Sequence, residues 1–272
     1  LKLPVVCDGT HGGPAEGARE PYLITAATSE RFREICQRNG ATLFMGYLAA
    51  WQTLLSWWCG QDDVIVGVPA GYREHRKTNA VVGFLVNSIA IRTRFGGCTT
   101  FTDVLNRVRK TAVASYANQD VPFERVVEEL QPTRRVSDSA PIFRAWFVLH
   151  DVPMPPWDLT GVTATLLDAR FLLSVHDIKL SLVEKDGSME GGIDYRAALF
   201  EPFTIAQLSR RFVALIEQIT EAPDITLTEI KHILDAQVES AQNPAKLDHG
   251  TTTAWPFAKA RRVLIRSKTD GS

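Results

Sequence analysis

The stretch from Thr42 to Val68 reads TLFMGYLAAWQTLLSWWCGQDDVIVGV and changes its pattern part-way along. Between Leu43 and Trp58, apolar residues cover nearly every side of a helix, which predicts a buried central helix that begins after Thr42 and ends at Gly60. Val64 to Val68 form a short, β-branched run that is typical of an interior strand. A buried helix followed by a buried strand indicates a layered fold that contains both.

The same alternation continues on both sides of this stretch. Further helices are predicted after a cap at Thr28 or Ser29, at Thr100 to Tyr116, from Pro122, and at Pro202 to Thr220. Strands are predicted at Tyr22 to Ala26, Phe84 to Ile91, Phe143 to Leu149, Val162 to Leu167, Ile178 to Val183 and Met189 to Tyr195. Because helices and strands alternate, the predicted fold class is α/β, an α+β sandwich around one sheet.

The two ends of the chain lack such patterns. Residues 1 to 20 are rich in Gly, Pro and small polar residues, which predicts a linker rather than a folded element. From Ala236 onward no period persists, so residues 236–272 are predicted to be a loose tail. Residues 21–235 remain as one folded unit. A chain that begins at Leu1 rather than at Met is expected to be processed or cut from a longer one.

Composition excludes several classes of protein. The 272 residues are 45% hydrophobic and 22% charged, as is ordinary for a globular protein. Thirty basic and 31 acidic residues give a formal net charge of −1, without the basic surplus of a general nucleic-acid binder. The longest apolar stretch, Leu43 to Leu55, is interrupted by Gly46 and Gln52, and a bilayer span needs about 20 apolar residues. We therefore predict no nucleic-acid partner and no membrane segment.

The common catalytic and metal-binding patterns are missing. There is no G-x-S-x-G elbow, and the six histidines form no metal-binding pattern. His176 and Asp177 are adjacent in a predicted strand, so their side chains should point to opposite faces, and His176 is interpreted as a packed or solvent-facing residue. Gly191 and Gly192 predict a bulge or a close approach. The four scattered cysteines are predicted to be free thiols.

Three segments combine polar, glycine and proline residues in patterns that packing alone does not explain. They are residues 82–92 (VGFLVNSIAIR), 118–124 (NQDVPFE) and 135–143 (RVSDSAPIF). In this order they resemble the three C-terminal core motifs of nonribosomal peptide synthetase condensation domains, and the resemblance covers roughly residues 20 to 235.

This resemblance implies a fold and an activity. Condensation domains consist of two lobes similar to chloramphenicol acetyltransferase, each a mixed sheet flanked by helices, which form a V around a tunnel. Carrier proteins dock at either end and deliver donor and acceptor on phosphopantetheine arms, and the acceptor amine attacks the donor thioester to form a peptide bond. The implied partners are peptidyl or aminoacyl carrier proteins, the N-terminal lobe and neighbouring synthetase domains, in the cytoplasm. No directly bound cofactor is implied.

The family's histidine motif, His-His-x-x-x-Asp-Gly, belongs to the N-terminal lobe, and this chain contains no two adjacent histidines. The resemblance therefore implies the C-terminal lobe alone, preceded by an inter-lobe linker at residues 1–20, with no catalytic residue of its own. Two functions stay open. The chain is either half of a peptide-bond-forming acyltransferase or a non-catalytic module that binds carrier proteins or tailoring enzymes.

Four residues are structural or tunnel-lining candidates: Arg73, Asn87, Gln119 and Asp120. The Asn87 amide can cross-link backbone segments, and Asp120 could cap the helix that Pro122 begins, with Phe123 as its core anchor. By resemblance, Arg73 pairs with the aspartate of the histidine motif. The alternatives are that the other three are fold determinants only and that Arg73 is an exposed residue of a basic turn.

Overall fold

The protein is represented by a computed structural model, which describes residues 1–5, 15–71, 81–83, 85–130, 142–150 and 173–242. Its strands are β1 (Ala15–Ile24), β2 (Asp63–Gly71), β3 (Val86–Arg94), β4 (Ala145–His150), β5 (Leu173–Ser174), β6 (Ile178–Lys185) and β7 (Ser188–Arg196). Its helices are α1 (Ala26–Arg38), α2 (Leu43–Cys59), α3 (Phe101–Tyr116), α4 (Phe123–Leu130), α5 (Pro202–Glu221) and α6 (Leu227–Gln242).

The described strands form one mixed sheet in the order β3-β2-β4-β6-β7-β1-β5. β2 runs parallel to β4, and β4 runs parallel to β6. The other neighbours are antiparallel, and the long register between β1 and β7 pairs residues 17–24 with residues 189–196. The predicted fold class, an α/β sandwich with a mixed sheet flanked by helices, is confirmed.

Helices α1, α2, α3 and α5 pack on one face of the sheet, which we call the core face. α2 is central, as predicted, since every residue from 46 to 55 is buried. Phe44 of α2 makes an edge contact with Phe147 of β4, and Trp51 makes one with Phe212 of α5. At about 25 cal/mol per Å² of apolar surface, the burial of such large side chains is the main stabilising contribution.

Gln52 is a polar residue at the centre of α2, and its amide is hydrogen-bonded on both sides. Its Nε2 donates to the carbonyl of Ile91 at 3.0 Å, and its Oε1 accepts from Thr93 Oγ1 at 2.8 Å. Because a buried amide without partners is unfavourable, these bonds hold α2 in one register against β3.

The predicted boundaries of α2 are confirmed, and the predicted start of α1 is wrong. Thr42 caps α2 by accepting the amide of Met45, and Gly60 ends it with φ +62°, a left-handed conformation that favours glycine. α1 begins three or four residues earlier than predicted, because Thr25 Oγ1 accepts the amide of Thr28. Ser29 lies inside the helix and is buried.

Two predictions about the ends of the folded unit are also wrong. Residues 15–20 belong to β1 and not to a linker, because residues 15–16 pair antiparallel with β5 and residues 17–20 pair antiparallel with β7. Residues 236–242 belong to α6, which a reciprocal cap between Thr226 and Glu229 begins and which buries Ile230 and Leu234 on one side. The sequence carried no strong pattern for a strand at residues 15–20 or for a helix at residues 236–242.

Other predictions agree with the structure or lie outside its described residues. α3, α4, α5, β4, β6 and β7 occur close to their predicted positions. β3 begins at Val86, whereas the predicted strand began at residue 84. Residue 84, the predicted strand at residues 162–167 and Cys7 all lie outside the described residues. The three described cysteines, Cys36, Cys59 and Cys98, are free thiols as predicted. In the described part of the chain, no helix is long and apolar enough to cross a membrane.

Candidate binding face of the sheet

The second face of the sheet, which we call the outer face, carries polar and aromatic side chains. Strand register places Gly67, Trp146, Lys179, Asp194 and Arg19 side by side in one row across β2, β4, β6, β7 and β1. Side chains alternate between faces along a strand, and the residues that flank this row are buried against the core-face helices. The row therefore points away from the main core.

Asn87 cross-links the start of β3 to the connection between α3 and α4. Its Nδ2 donates to the carbonyls of Gln119 at 2.7 Å and Val121 at 2.8 Å, and its Oδ1 accepts the amide of Phe123 at 3.2 Å. Asn87 is nearly buried, so the three bonds use the donors and the acceptor of a group that has lost most of its water. The predicted backbone cross-link is confirmed.

The neighbouring candidates lie in the connection that Asn87 holds. Gln119 is nearly buried and Asp120 is exposed. The first amide of α4, that of Phe123, donates to Asn87 Oδ1 of β3 rather than to a residue close to it in sequence. Phe123 was predicted to anchor α4 in the core, but it is half-buried on the outer face. Arg73 lies outside the described residues.

Four aromatic rings follow one another along the outer face, and we call them the aromatic chain. Ring centroids are 5.0 Å apart between Phe123 and Phe143, 5.2 Å between Phe143 and Trp146, and 4.1 Å between Trp146 and His176. Gly67 makes room for it, because a Cβ there would lie 2.2 Å from the Phe143 ring. The aromatic chain links α4 to the turn before β6.

Beyond the aromatic chain, two buried carboxylates each contact two cations. Asp194, whose side chain is 7% exposed, accepts from Arg19 Nη1 at 2.9 and 3.1 Å and lies 3.1 Å from Lys179 Nζ. We call these three residues the Asp194 triad.

The second group, the Asp177 triad, lies one row away on the same face. Asp177 is 2% exposed, pairs with Arg144 Nε through Oδ2, and lies 3.6 Å from Arg196 Nε through Oδ1. In each triad two cations pair with one buried carboxylate, and such a pairing stabilises geometry more than it adds net stability.

Gly191 and Gly192 let side chains lie flat on both faces of β7. A Cβ on Gly191 would be 2.3 Å from the carbonyl oxygen of Ser181 and 2.7 Å from the Tyr22 ring, on the core face. A Cβ on Gly192 would be 2.6 Å from Arg19 Nε, on the outer face. The register continues through both residues, so of the two predicted roles the close approach is confirmed and the bulge is not found.

His176 lies in the turn between β5 and β6 and not in a strand, which corrects that part of the prediction. Of the two predicted positions, packed or solvent-facing, the structure shows the packed one, because the partly buried ring lies with its centroid 4.1 Å from that of Trp146. Burial is the main reason that its pKa falls to about 4. Lys179 and Arg196 lower the pKa further, while Asp177 and Asp194 oppose them. His176 is therefore a neutral imidazole near pH 7.

Residues 2–240 match the family model described as Condensation domain. The chain belongs to the condensation domain family. A linear gramicidin synthase of Brevibacillus parabrevis is 35% identical over 253 residues, which are 92% of this chain and 5% of that synthase. Surfactin synthase subunit 1 of Bacillus subtilis (strain 168) is 32% identical over 249 residues, which are 92% of this chain and 7% of that relative. The chain thus spans a small part of the length of these relatives.

A solved structure shows the same condensation-domain fold. The X-domain from teicoplanin biosynthesis superposes with a TM-score of 0.77 at 22% identity, over 84% of this chain and 52% of that chain. The same X-domain in its complex with OxyB superposes with a TM-score of 0.70 at 21% identity, over 84% of this chain and 51% of that chain. The resemblance inferred from the three motifs is confirmed.

Sequence reasoning found Asn87 within this condensation domain but missed the two triads. The only signal for the triads was the run of charged residues at alternate positions, for example Asp177 and Lys179. Such alternation ordinarily marks a solvated face, and the partners Arg19 and Arg144 lie far away in the chain. Nothing local indicated that these charges would meet.

Proposed function

We propose that this chain is the C-terminal lobe of a nonribosomal peptide synthetase condensation domain. The observation that carries the proposal is that the three segments similar to the C-terminal motifs meet at one place. Asn87 of the first segment bonds to the second, and Phe143 of the third stacks on Phe123 of the second. The chain also spans about half of the solved X-domain chain.

In the proposed reaction, an acceptor amine on one carrier protein attacks the donor thioester on another. A carbon–nitrogen bond forms, the carbon–sulfur bond breaks, and the donor's thiol leaves with a proton. The histidine motif of the N-terminal lobe would move protons, whereas this chain would form one wall of the tunnel. Fixing two tethered reactants in place contributes as much as acid–base help, so a wall without the histidine is required but not sufficient.

The candidate residues have structural or tunnel-lining roles in this proposal. Asn87 holds the connection that contains Gln119 and Asp120, and so positions α4 against the aromatic chain. Arg73 would pair with the aspartate of the histidine motif in the other lobe. Carrier proteins, the N-terminal lobe and neighbouring synthetase domains are the proposed partners, phosphopantetheine is the proposed substrate tether, and the cytoplasm is the proposed location.

The isolated chain is expected to be inactive. When it is incubated with donor-loaded and acceptor-loaded carrier proteins, mass spectrometry should find no dipeptidyl product above background. The same chain joined to an N-terminal lobe with an intact histidine motif should form product, and replacing both histidines of that motif by alanine should abolish it. Turnover by the isolated chain would show that the assignment as a lobe is wrong.

The second candidate is a non-catalytic module that binds carrier proteins or tailoring enzymes. It is favoured by the likeness to the X-domain, which has been solved in complex with OxyB. This module would bind its partner tightly without any second lobe. Analytical ultracentrifugation of the isolated chain with carrier proteins discriminates between the two, since a lobe should need its other half to form a complete docking site.

A further inference from the structure

Strand β3 lies at one edge of the sheet, since β2 is its single neighbour among the described strands. The amide of Phe95 donates to the carbonyl of Asp62 at 2.7 Å, which extends the β2–β3 register by one residue pair. Along an antiparallel pair of strands, opposed residues that exchange hydrogen bonds alternate with opposed residues that do not. The backbone groups of residues 87, 89, 91 and 93 therefore point to β2, and those of residues 88, 90, 92 and 94 point away from the sheet.

Three residues of this edge keep backbone groups that no described residue bonds. The carbonyl of Arg94, at the end of the edge, accepts from Arg107 Nη1. The outward amides and carbonyls of Ser88, Ala90 and Arg92 make no hydrogen bond within the described part of the chain. Each residue brings one donor and one acceptor, so the edge presents a row of three donors and three acceptors that an extended strand could bond.

The opposite end of the sheet is protected in a way that β3 is not. In the described part of the chain, β5 pairs only with residues 15 and 16 of β1, and the rest of β1 is bordered by β7 alone. Pro21, in the middle of β1, has no N–H to offer, and its carbonyl accepts from Ser209 Oγ at 3.5 Å. Proline, lysine and bulges are common means of preventing edge pairing, and residues 86–94 contain no proline, no lysine and no break in register.

The charges of β3 lie at one end of the strand. Arg92 and Arg94 both contact Asp63 of β2, and Arg92 Nε donates to it at 2.8 Å. Ser88 and Ala90 are uncharged. The open edge therefore has a neutral half and a cationic half.

This asymmetry favours an antiparallel strand of the same sequence as the partner. Such a strand, centred on Ala90, places each Arg92 opposite Ser88 of the second copy and separates the two Arg92 residues by roughly 14 Å, beyond the screening length of about 8 Å at physiological salt. A parallel arrangement would instead place Arg92 beside Arg92, and like charges side by side are unfavourable.

We propose that the open edge of β3 pairs with the same edge of a second copy of this chain, around a two-fold axis at Ala90. Ser88, Ala90 and Arg92 of each copy would donate once and accept once, so three donors from each copy make six backbone hydrogen bonds. The two sheets would then continue into each other. A two-fold interface of this kind is self-complementary and closes at the dimer. The inference goes beyond the proposed function and does not depend on it.

Sedimentation velocity and residue-resolved hydrogen exchange of the full chain, both across a concentration series, test the proposal. Sedimentation should show an equilibrium between monomer and dimer. The amides of Ser88, Ala90 and Arg92 should exchange quickly in dilute protein and slow down as the dimer forms. The amides of Ile89 and Ile91 point to β2 and should not change, which makes them the internal control.

Charge variants at the two-fold axis make the test specific. Ala90→Lys and Ala90→Glu each place like charges directly opposite each other and should weaken dimerisation about fivefold. An equimolar mixture of the two variants should associate again, because lysine then meets glutamate. The Ala90 side chain is partly exposed, so both variants should fold.

Val183→Lys is the matched control. Val183 is also an exposed apolar residue, at 39%, but it lies on β6 in the interior of the sheet. Its replacement should leave dimerisation unchanged, and a loss equal to that of Ala90→Lys would overturn the proposal.

Further outcomes would also overturn it. They are a monomer at every concentration, a dimer that leaves the three amides in fast exchange, and a mixture of the two Ala90 variants that does not associate. Strong protection of the same amides in dilute protein would mean that another segment of the chain covers the edge, and would exclude the dimer as well.

Discussion

At the scale of single residues, Asn87 holds three backbone groups of the connection between α3 and α4. Asn87→Ala removes two donors and one acceptor from a nearly buried place, and we expect the free energy of unfolding to fall by about 2 to 3 kcal/mol. Asn118→Ala is the control, because Asn118 lies in the same connection and makes one exposed bond to Ala114. Urea denaturation measures both, and equal small losses would contradict the bridging role.

His176 should make stability depend on pH in a defined window. Its folded pKa of about 4 lies below the ordinary value of 6.5, so the unfolded chain takes up the proton first. The contribution of neutral His176 is complete above pH 6.5, declines as the pH falls toward 4, and is lost below it. We expect a loss of about 3 kcal/mol across this window, because each unit of pKa difference corresponds to about 1.4 kcal/mol.

Urea melts at several pH values test this window by comparison with His176→Phe. That variant keeps a ring against Trp146 but cannot take up a proton, so it should lack this part of the pH dependence. Parallel pH profiles for the two proteins would show that His176 does not contribute.

At the scale of elements, β7 depends on two adjacent glycines that face opposite sides. Gly191→Ala would place a methyl against the backbone oxygen of Ser181, which cannot move without breaking the β6–β7 pairing, and should destabilise by about 3 kcal/mol. Gly192→Ala would meet only the flexible side chain of Arg19 and should cost about 1 kcal/mol. Thermal melts that ranked the two variants in the reverse order would contradict this account.

At the scale of the whole molecule, Arg73 is expected to matter only when both lobes are present. If it pairs with the aspartate of a histidine motif, Arg73→Ala in a two-lobe domain strands a buried charge and should lose about 3 to 5 kcal/mol together with peptide formation. In the isolated chain the same change should stay within about 0.5 kcal/mol. Arg73→Lys should rescue only partly, because lysine lacks the two-pronged geometry.

Denaturant melts of both forms measure the effect, and Arg76→Ala, three residues along the same basic stretch, is the control. If Arg73→Ala changes the stability of the two-lobe domain as little as it changes that of the isolated chain, the alternative of an exposed turn residue is favoured.

The sequence was sufficient to predict features that depend only on residues close together in the chain. Thr42 and Gly60 bound α2 because a cap and a left-handed glycine act within one turn of helix. The amide of Asn87 has donors and an acceptor suited to a cross-link, whatever its partners are. The order of the three motifs was enough to recognise the family. Composition misled at residues 15–20, where a Gly-containing segment is a strand because β5 and β7 pair with it.

The tertiary structure alone decided which charges meet on the outer face. Arg19 reaches Asp194 across 175 residues, and Arg144 reaches Asp177 across 33, because the sheet order places β1 beside β7 and β4 beside β6. The sequence determined that each of these residues is charged and, for all but Arg19, in or beside which strand it lies. Their burial and pairing follow from strand register, which is set by the packing of the whole core face rather than by any residue near them in the chain.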